Sequence, residues 1–182
     1  AGSLMGLAGQ DPLFFAQLTT ANQDVANVGT FCLRCHVPMS YVTGHASDPT
    51  GYSLDDVDRD GVTCHFCHSL VDPVYVPGQS PPEDEAILAD LDTVPAHYGN
   101  AMFVLDPLGR RRGPYEETDA PHLTIASDFV KSSSMCGTCH DVSSPDTPTG
   151  PATTLILADG TDTGQAFPAD RTYSEWKQSA YA

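Results

Sequence analysis

The sequence is short of basic residues and of long apolar runs. Only 8 of its 182 residues are Lys or Arg, against 24 Asp or Glu, and the formal net charge is −16. Phosphates would repel such a chain, which argues against nucleic acid as a partner and favours basic proteins or cations. No apolar run approaches the roughly 18 residues that a transmembrane helix requires. The sequence therefore predicts no membrane-spanning segment.

Large aliphatic side chains are also sparse, whereas Gly and Pro, at 15 each, are frequent. These residues interrupt regular structure, and a thin core needs disulfides, a metal or a cofactor to supplement it. We therefore expect a mainly irregular fold with a few short α-helices. The predicted helix starts are Asp11-Pro12, Pro82, a cap at Ser127 and a capping box from Thr172 to Glu175, and the one predicted strand is 153–157.

No cysteine stands outside a closely spaced pair, and each pair is followed at once by histidine. This C-x-x-C-H pattern is the attachment signature of c-type haem. Two thiols separated by two intervening residues can add to the two vinyl groups along one edge of a porphyrin. The imidazole of the next residue then becomes the proximal iron ligand. The predicted attachment cysteines are Cys32, Cys35, Cys64, Cys67, Cys136 and Cys139, and the predicted proximal ligands are His36, His68 and His140.

Other uses of paired cysteines account for less of the pattern. A zinc site takes four converging ligands and does not require a histidine after every second cysteine. A redox dithiol is usually a single pair, and disulfide scaffolds scatter their cysteines. We therefore predict three haem c groups, with no thiol left for a disulfide. Because this attachment takes place outside the cytoplasmic membrane, the expected location is periplasmic, extracellular or on the outer face of a membrane.

Four further histidines are candidates for the sixth iron ligand. His97 and His122 each follow a proline in a segment distant from the motifs, and His45 lies nine residues after His36. His65 lies within its own attachment turn and is the alternative, since it would have to serve a neighbouring haem. Met5 and Met102 are competing ligands, but gap-filling apolar roles fit them better.

The sequence contains two charged runs, one acidic and one basic, and it does not fix the role of either. Asp56, Asp58 and Asp60 precede Gly61 as in the start of a calcium loop, but Cys67 occupies the position of the bidentate Glu, so an EF-hand is excluded and an irregular Ca²⁺ site stays an alternative. Residues 110–112 are three consecutive arginines, which fit haem propionates, an acidic partner or a solvated patch.

Residues 31–38, 61–68 and 133–142, each built around one motif, closely resemble haem sites of the bacterial multihaem c-type cytochromes. The resemblance implies a fold of loops and short helices organised around covalently bound haems, with bis-histidine irons and electron transfer between redox partners. We expect one triheme domain over residues 1–182. Residues 173–182 resemble segments that precede a further motif, so this domain is expected to be the N-terminal part of a longer multihaem protein or a trimmed relative.

Three functions fit these features. The first is an electron carrier, not an enzyme, that exchanges electrons with other redox proteins, including other multihaem cytochromes or a membrane redox complex. The second is a multihaem reductase or oxidase in which one iron keeps an open position. The third is a subunit of a conducting extracellular filament, formed as a homo-polymer, or of a membrane redox complex.

Overall fold

The computed structural model describes residues 3–147 and 150–182. The chain divides into two compact units: the first comprises residues 1–66 and 147–151, and the second comprises residues 67–146 and 152–182. The predicted single domain over residues 1–182 depends on haem contacts shared along the chain. The polypeptide alone does not test those contacts, so the single domain stays a prediction, as does organisation of the fold around haem.

Helices in the described residues are short, as the frequent Gly and Pro predict. The longest has 13 residues, and none is long and apolar enough to cross a lipid bilayer. The α-helices are α1 Pro12–Asp24, α2 Gly29–His36, α3 Pro38–Val42, α4 Cys64–Cys67, α5 Pro82–Ala89, α6 Ser133–Gly137 and α7 Thr172–Lys177, and the 3₁₀ helices are Met5–Gly9, His45–Ser47, Asp58–Asp60 and Asp128–Lys131.

Strands in the described residues form two-stranded sheets. Strand β3 pairs with β4 in parallel, whereas β1 with β2, β5 with β8 and β6 with β7 are antiparallel. The predicted strand at 153–157 is confirmed as β6, whereas its five-residue partner β7 was missed and the remaining strands, of two or three residues, are too short to give an alternating pattern. The strands are β1 Leu70–Val71, β2 Val104–Leu105, β3 Arg111–Gly113, β4 Thr124–Ala126, β5 Val142–Ser143, β6 Thr154–Ile156, β7 Asp162–Ala166 and β8 Pro168–Asp170.

Local capping chemistry accounts for two of the predicted helix starts. Asp11 Oδ1 accepts a hydrogen bond from the Leu13 amide at 2.9 Å and Pro12 begins α1, which confirms that prediction. Helix α5 begins at Pro82 with acidic residues in its first turn, also as predicted.

Two capping predictions are wrong. The 3₁₀ helix at Asp128 does begin after Ser127, but the Ser127 side chain makes no capping hydrogen bond. The predicted capping box at Thr172 fails because Thr172 is the first helical residue rather than the cap. Its amide and hydroxyl instead donate to Asp170 Oδ1, at 2.9 and 2.7 Å.

Each unit has a small apolar cluster. Phe14 and Phe15 of α1 and Tyr41 of α3 pack around the cluster of the first unit, and Tyr75 and Ile87 pack around that of the second. The cluster of the first unit holds the helix that carries the first motif, because Leu33 lies between the cysteines of α2. The buried members are Leu18, Leu33, Val37, Ala46 and Leu54 in the first unit and Val71, Leu88 and Val104 in the second.

Gly29, at the start of α2, is expected to tolerate no side chain. Its amide donates to Asn22 Oδ1 at 3.0 Å, and a Cβ here would lie 1.9 Å from the Pro49 carbonyl oxygen. Gly29→Ala should therefore lower the free energy of unfolding by about 1–3 kcal/mol, the usual cost of overpacking. Urea denaturation of the full chain measures this change.

The matched control for that substitution is Gly113→Ala. A Cβ at Gly113 meets no atom within 4 Å, so its effect should stay within about 0.5 kcal/mol. Equal unfolding midpoints for the two variants would contradict the predicted clash at Pro49.

Candidate functional site

The first motif lies on one continuous helix of the first unit. Cys32, Cys35 and His36 all belong to α2, and residues spaced by three and four positions project from the same helix face. The His36 ring stacks on Phe14 with centroids 3.6 Å apart and planes inclined by 6°. Both thiols and the imidazole are thereby held on one side of the helix.

The His36 imidazole is oriented by a main-chain carbonyl. Its Nδ1 lies 3.1 Å from the carbonyl oxygen of Ala8, in the 3₁₀ helix Met5–Gly9. Because a carbonyl oxygen only accepts, Nδ1 carries the proton and Nε2 keeps its lone pair. Metal-binding histidines characteristically have such a partner for their second nitrogen.

The second motif has the same feature. Its cysteines begin and end the short helix α4, and the division between the two units falls between Phe66 and Cys67. In the second unit, His68 Nδ1 donates to the Arg112 carbonyl oxygen at 2.6 Å. His68 is exposed, and in the neutral ring Nε2 would be the nitrogen able to bind a metal.

The third motif begins on α6 and continues as a helical turn beyond it. The Ser132 hydroxyl caps α6, and the amides of Cys139 and His140 both donate to the Cys136 carbonyl, at 3.1 and 2.9 Å. The turn therefore holds both cysteines and the histidine together. Gly137 lies between the cysteines because a Cβ there would lie 2.6 Å from the Tyr173 ring.

The His140 ring faces a carboxylate rather than a carbonyl. Its Nδ1 is 3.7 Å from Asp170 Oδ2, beyond hydrogen-bond distance but within that of an ion pair. Burial acts to raise the pKa of Asp170, but hydrogen bonds from Thr172 and the neighbouring His140 outweigh it and lower that pKa. Asp170 therefore faces Nδ1 of His140, on the opposite side of the ring from Nε2.

The sulfur atoms are placed where a prosthetic group could reach them. Cys64 and Cys136 are exposed and the other four cysteines are half-buried. Burial, followed by the neighbouring Cys35, raises the pKa of the Cys32 thiol. In the first unit, Leu4, Met5 and Leu7 are exposed apolar residues in the segment that supplies the Ala8 carbonyl. Thiols, an oriented imidazole and an apolar surface fit the needs of a c-type haem.

Among the candidate sixth ligands, His45 is held by a buried carboxylate. Its Nδ1 lies 3.0 Å from Asp58 Oδ1, and its side chain is 64% exposed whereas that of Asp58 is 8% exposed. Burial acts to raise the pKa of Asp58, but hydrogen bonds from the Asp55 amide, His45 and Ser40 lower it. Nδ1 of His45 faces the carboxylate, so Nε2 points away from Asp58.

The other candidates have less defined surroundings. His97 and His122 are exposed, and the Nδ1 of His122 has the carbonyl of the adjacent Leu123 at 3.4 Å. His65 is exposed on α4. The roles of His65, His97 and His122 as sixth ligands stay predictions.

A zinc site was an alternative use of the cysteine pairs. Within residues 3–147 and 150–182, no group of three or more His, Cys, Asp or Glu side chains is arranged to hold a metal ion. Asp58, from the calcium-like run, instead uses Oδ1 for His45 and Oδ2 for the Asp55 amide at 3.2 Å. That use of its oxygens offers no support for the calcium site considered from the sequence.

Sequence reasoning missed the residues that orient the imidazoles. Ala8 and Arg112 act through main-chain carbonyls, for which a side-chain pattern gives no signal. Asp58 was noticed in the sequence only as a member of an acidic run, and that run suggested a metal. Comparisons of this chain with models of known protein families, with curated proteins and with solved structures found no match.

Proposed function

We propose that this protein is an electron carrier with three covalently attached haem c groups. The observation that carries the proposal is the donation from Nδ1 of His36 and His68 to the carbonyls of Ala8 and Arg112, at 3.1 and 2.6 Å. In both cases an imidazole directly after a cysteine pair is fixed in the tautomer that binds iron through Nε2.

The residues of each motif have separate tasks in this proposal. The two thiols anchor the porphyrin through thioethers, and the adjoining histidine holds the iron from one side. The helical turn keeps all three groups on one face, so that attachment and ligation occur at the same place. A bound haem would supply the one-electron couple of its iron.

His45 is the best-supported residue for a sixth position. Its hydrogen bond to the buried Asp58 fixes both the tautomer and the direction of Nε2, and carboxylate–histidine pairs commonly orient metal ligands. His97 and His122 would complete two further bis-histidine irons, with His65 as the alternative. Six-coordinate irons of this kind suit electron transfer, because oxidation and reduction need little ligand movement.

The charge of the chain supports a choice of partners. A net charge of −16 favours brief electrostatic docking on basic patches of other redox proteins, including other multihaem cytochromes or a membrane redox complex. Covalent haem attachment also implies a periplasmic or extracellular location, or the outer face of a membrane.

The proposal is tested by counting haems on the wild-type chain. After expression with a haem c maturation system and export, we expect intact-mass analysis under denaturing conditions to give the polypeptide plus three haems, and the pyridine haemochrome spectrum to give three haems per chain. Cytoplasmic expression without maturation is the control and should give the bare polypeptide. A bare polypeptide from both preparations would rule the proposal out.

Two further observations would assign a different role to the haem-loaded protein. Strong binding of carbon monoxide to the reduced wild type would indicate an open iron and favour the reductase or oxidase. Polymers seen by electron microscopy would favour the filament subunit.

A further inference from the structure

Two hydrogen bonds of opposite sense join the main chain of Arg112 to His68. The Arg112 amide donates to the His68 carbonyl at 2.7 Å, and His68 Nδ1 donates to the Arg112 carbonyl at 2.6 Å. A single residue of β3 thus holds both the backbone and the ring of His68. Displacement of Arg112 would move this imidazole or lengthen the bond to its Nδ1.

The Arg112 side chain is anchored by two buried carboxylates. Its Nη1 donates to Asp106 Oδ2 at 2.7 Å and its Nη2 donates to Asp84 Oδ1. The guanidinium is 1% exposed and both carboxylates are 0% exposed. Asp106 is further held by the Leu108 amide at 2.8 Å and by Arg110 Nε at 2.9 Å. Arg112 is therefore fixed at its backbone and at the end of its side chain.

This buried network is only partly satisfied. Within the described part of the chain, Asp84 Oδ2 and Arg112 Nε have no hydrogen-bond partner. Burial raises the pKa of Asp84, although Arg112 acts in the opposite direction. Buried ion pairs of this kind often add little stability compared with apolar side chains of similar volume. The contacts of Arg112 with His68 supply a reason for the network other than stability.

We propose that Arg112 is a positioning residue for His68. Its side chain, gripped by Asp84 and Asp106, fixes the carbonyl that accepts the Nδ1 proton. The inference rests on the proposed function, in which His68 Nε2 binds a haem iron. A firm Nδ1–H···O bond makes the imidazole a more basic ligand, which favours ferric iron and lowers the reduction potential of that haem.

Arg112→Lys and Asp84→Asn, in the full haem-loaded chain, test this role. Lysine keeps the charge but loses the planar fork that reaches two carboxylates, and asparagine removes one of them. We expect one of the three potentials to rise by an amount equal to a tenfold change in the equilibrium constant for reduction, about 59 mV for a one-electron couple. The electron paramagnetic resonance signal of one ferric haem should change with it.

The matched control is Arg111→Lys, on the same strand. The carbonyl that accepts from His68 belongs to Arg112 and not to Arg111, and Arg111 Nη1 donates to Ser69 Oγ and to the Gly109 carbonyl. All three potentials should therefore stay at their wild-type values. If Arg112→Lys and Asp84→Asn retain three haems with unchanged potentials and spectra, the inference is wrong. Failure of the proposed function would be seen separately, as a wild-type chain without haem.

A measurement on the wild type decides the case if neither variant matures. In the reduced, diamagnetic protein, nuclear magnetic resonance should show the His68 Nδ1 proton exchanging with water more slowly than the His140 Nδ1 proton. The reason is that His68 donates at 2.6 Å whereas His140 has its carboxylate at 3.7 Å. Equal or faster exchange at His68 would overturn the inference.

Discussion

Replacing both cysteines of one motif with serine is expected to lower the haem content from three groups per chain to two. A serine hydroxyl does not add to a porphyrin vinyl group as a thiol does, and the adjoining histidine alone would bind haem reversibly. Haem held only by an imidazole is lost on denaturation, whereas thioether-linked haem is retained. Intact mass under denaturing conditions and the pyridine haemochrome absorbance per chain measure the change for Cys32/Cys35, Cys64/Cys67 and Cys136/Cys139 in turn.

The three double variants serve as controls for one another. Each motif begins on its own helix, α2, α4 or α6, and no group of three or more His, Cys, Asp or Glu side chains among the described residues is arranged to hold a metal ion. Each variant should therefore lose one haem and keep two. If every double variant lost all of its bound haem or metal, separate haem sites would be contradicted. That result would indicate one metal site shared by the three motifs.

Substitution of His45 is expected to change the reduction potential and the sixth position of one iron. Replacement by methionine should raise one reduction potential by about 0.1 V, a modest part of the roughly 0.8 V range that axial ligands span. Replacement by alanine should open the sixth position, so that the reduced variant binds about one carbon monoxide per chain while the wild type binds almost none. Redox titration and carbon monoxide difference spectra measure these effects.

The carboxylate behind His45 provides a finer test. Asp58→Asn keeps the side-chain volume but removes the charge that holds the proton on Nδ1 of His45, so the same potential should rise, by less than in His45→Met. Asp60→Asn is the matched control, because Asp60 lies in the same segment and is exposed. It should leave the potential of that haem close to the wild-type value.

A single result would remove His45 from the ligand set. The chain has seven histidines, of which three are proximal in the proposal, so loss of His45 leaves three others for three irons. Unchanged potentials and no carbon monoxide binding in the His45 variants would assign the sixth positions to His65, His97 and His122. Attachment through the cysteine pairs would be unaffected by that outcome.

Helix starts show how far local sequence information reaches. Asp11 and the acidic first turn of α5 act on amides only a few residues away, and both starts were predictable. The two- and three-residue strands were not, because their pairing depends on partners such as Ile125 opposite Arg112, far along the chain. Short strands carry no periodicity of their own.

The arginine run illustrates what the pattern of charge leaves open. From the sequence, residues 110–112 fitted propionates, an acidic partner or a solvated patch. In the structure, Arg112 is 1% exposed between Asp84 and Asp106, so for this residue the solvated patch is wrong. An ion pair that links residues 28 positions apart is set by the packing of α5 against its surroundings, which composition does not encode.

By itself the sequence determined the spacing of the thiols and imidazoles. In each motif the second cysteine lies three positions after the first and the histidine lies four positions after it, which is the spacing of neighbours on one face of a helical turn. Only the tertiary structure decided which group faces the Nδ1 atom of each imidazole. Those partners are Ala8, Arg112, Asp170 and Asp58. Carbonyl oxygens are common to every residue and acids are abundant here, so proximity in the folded chain, and not residue type, selects them.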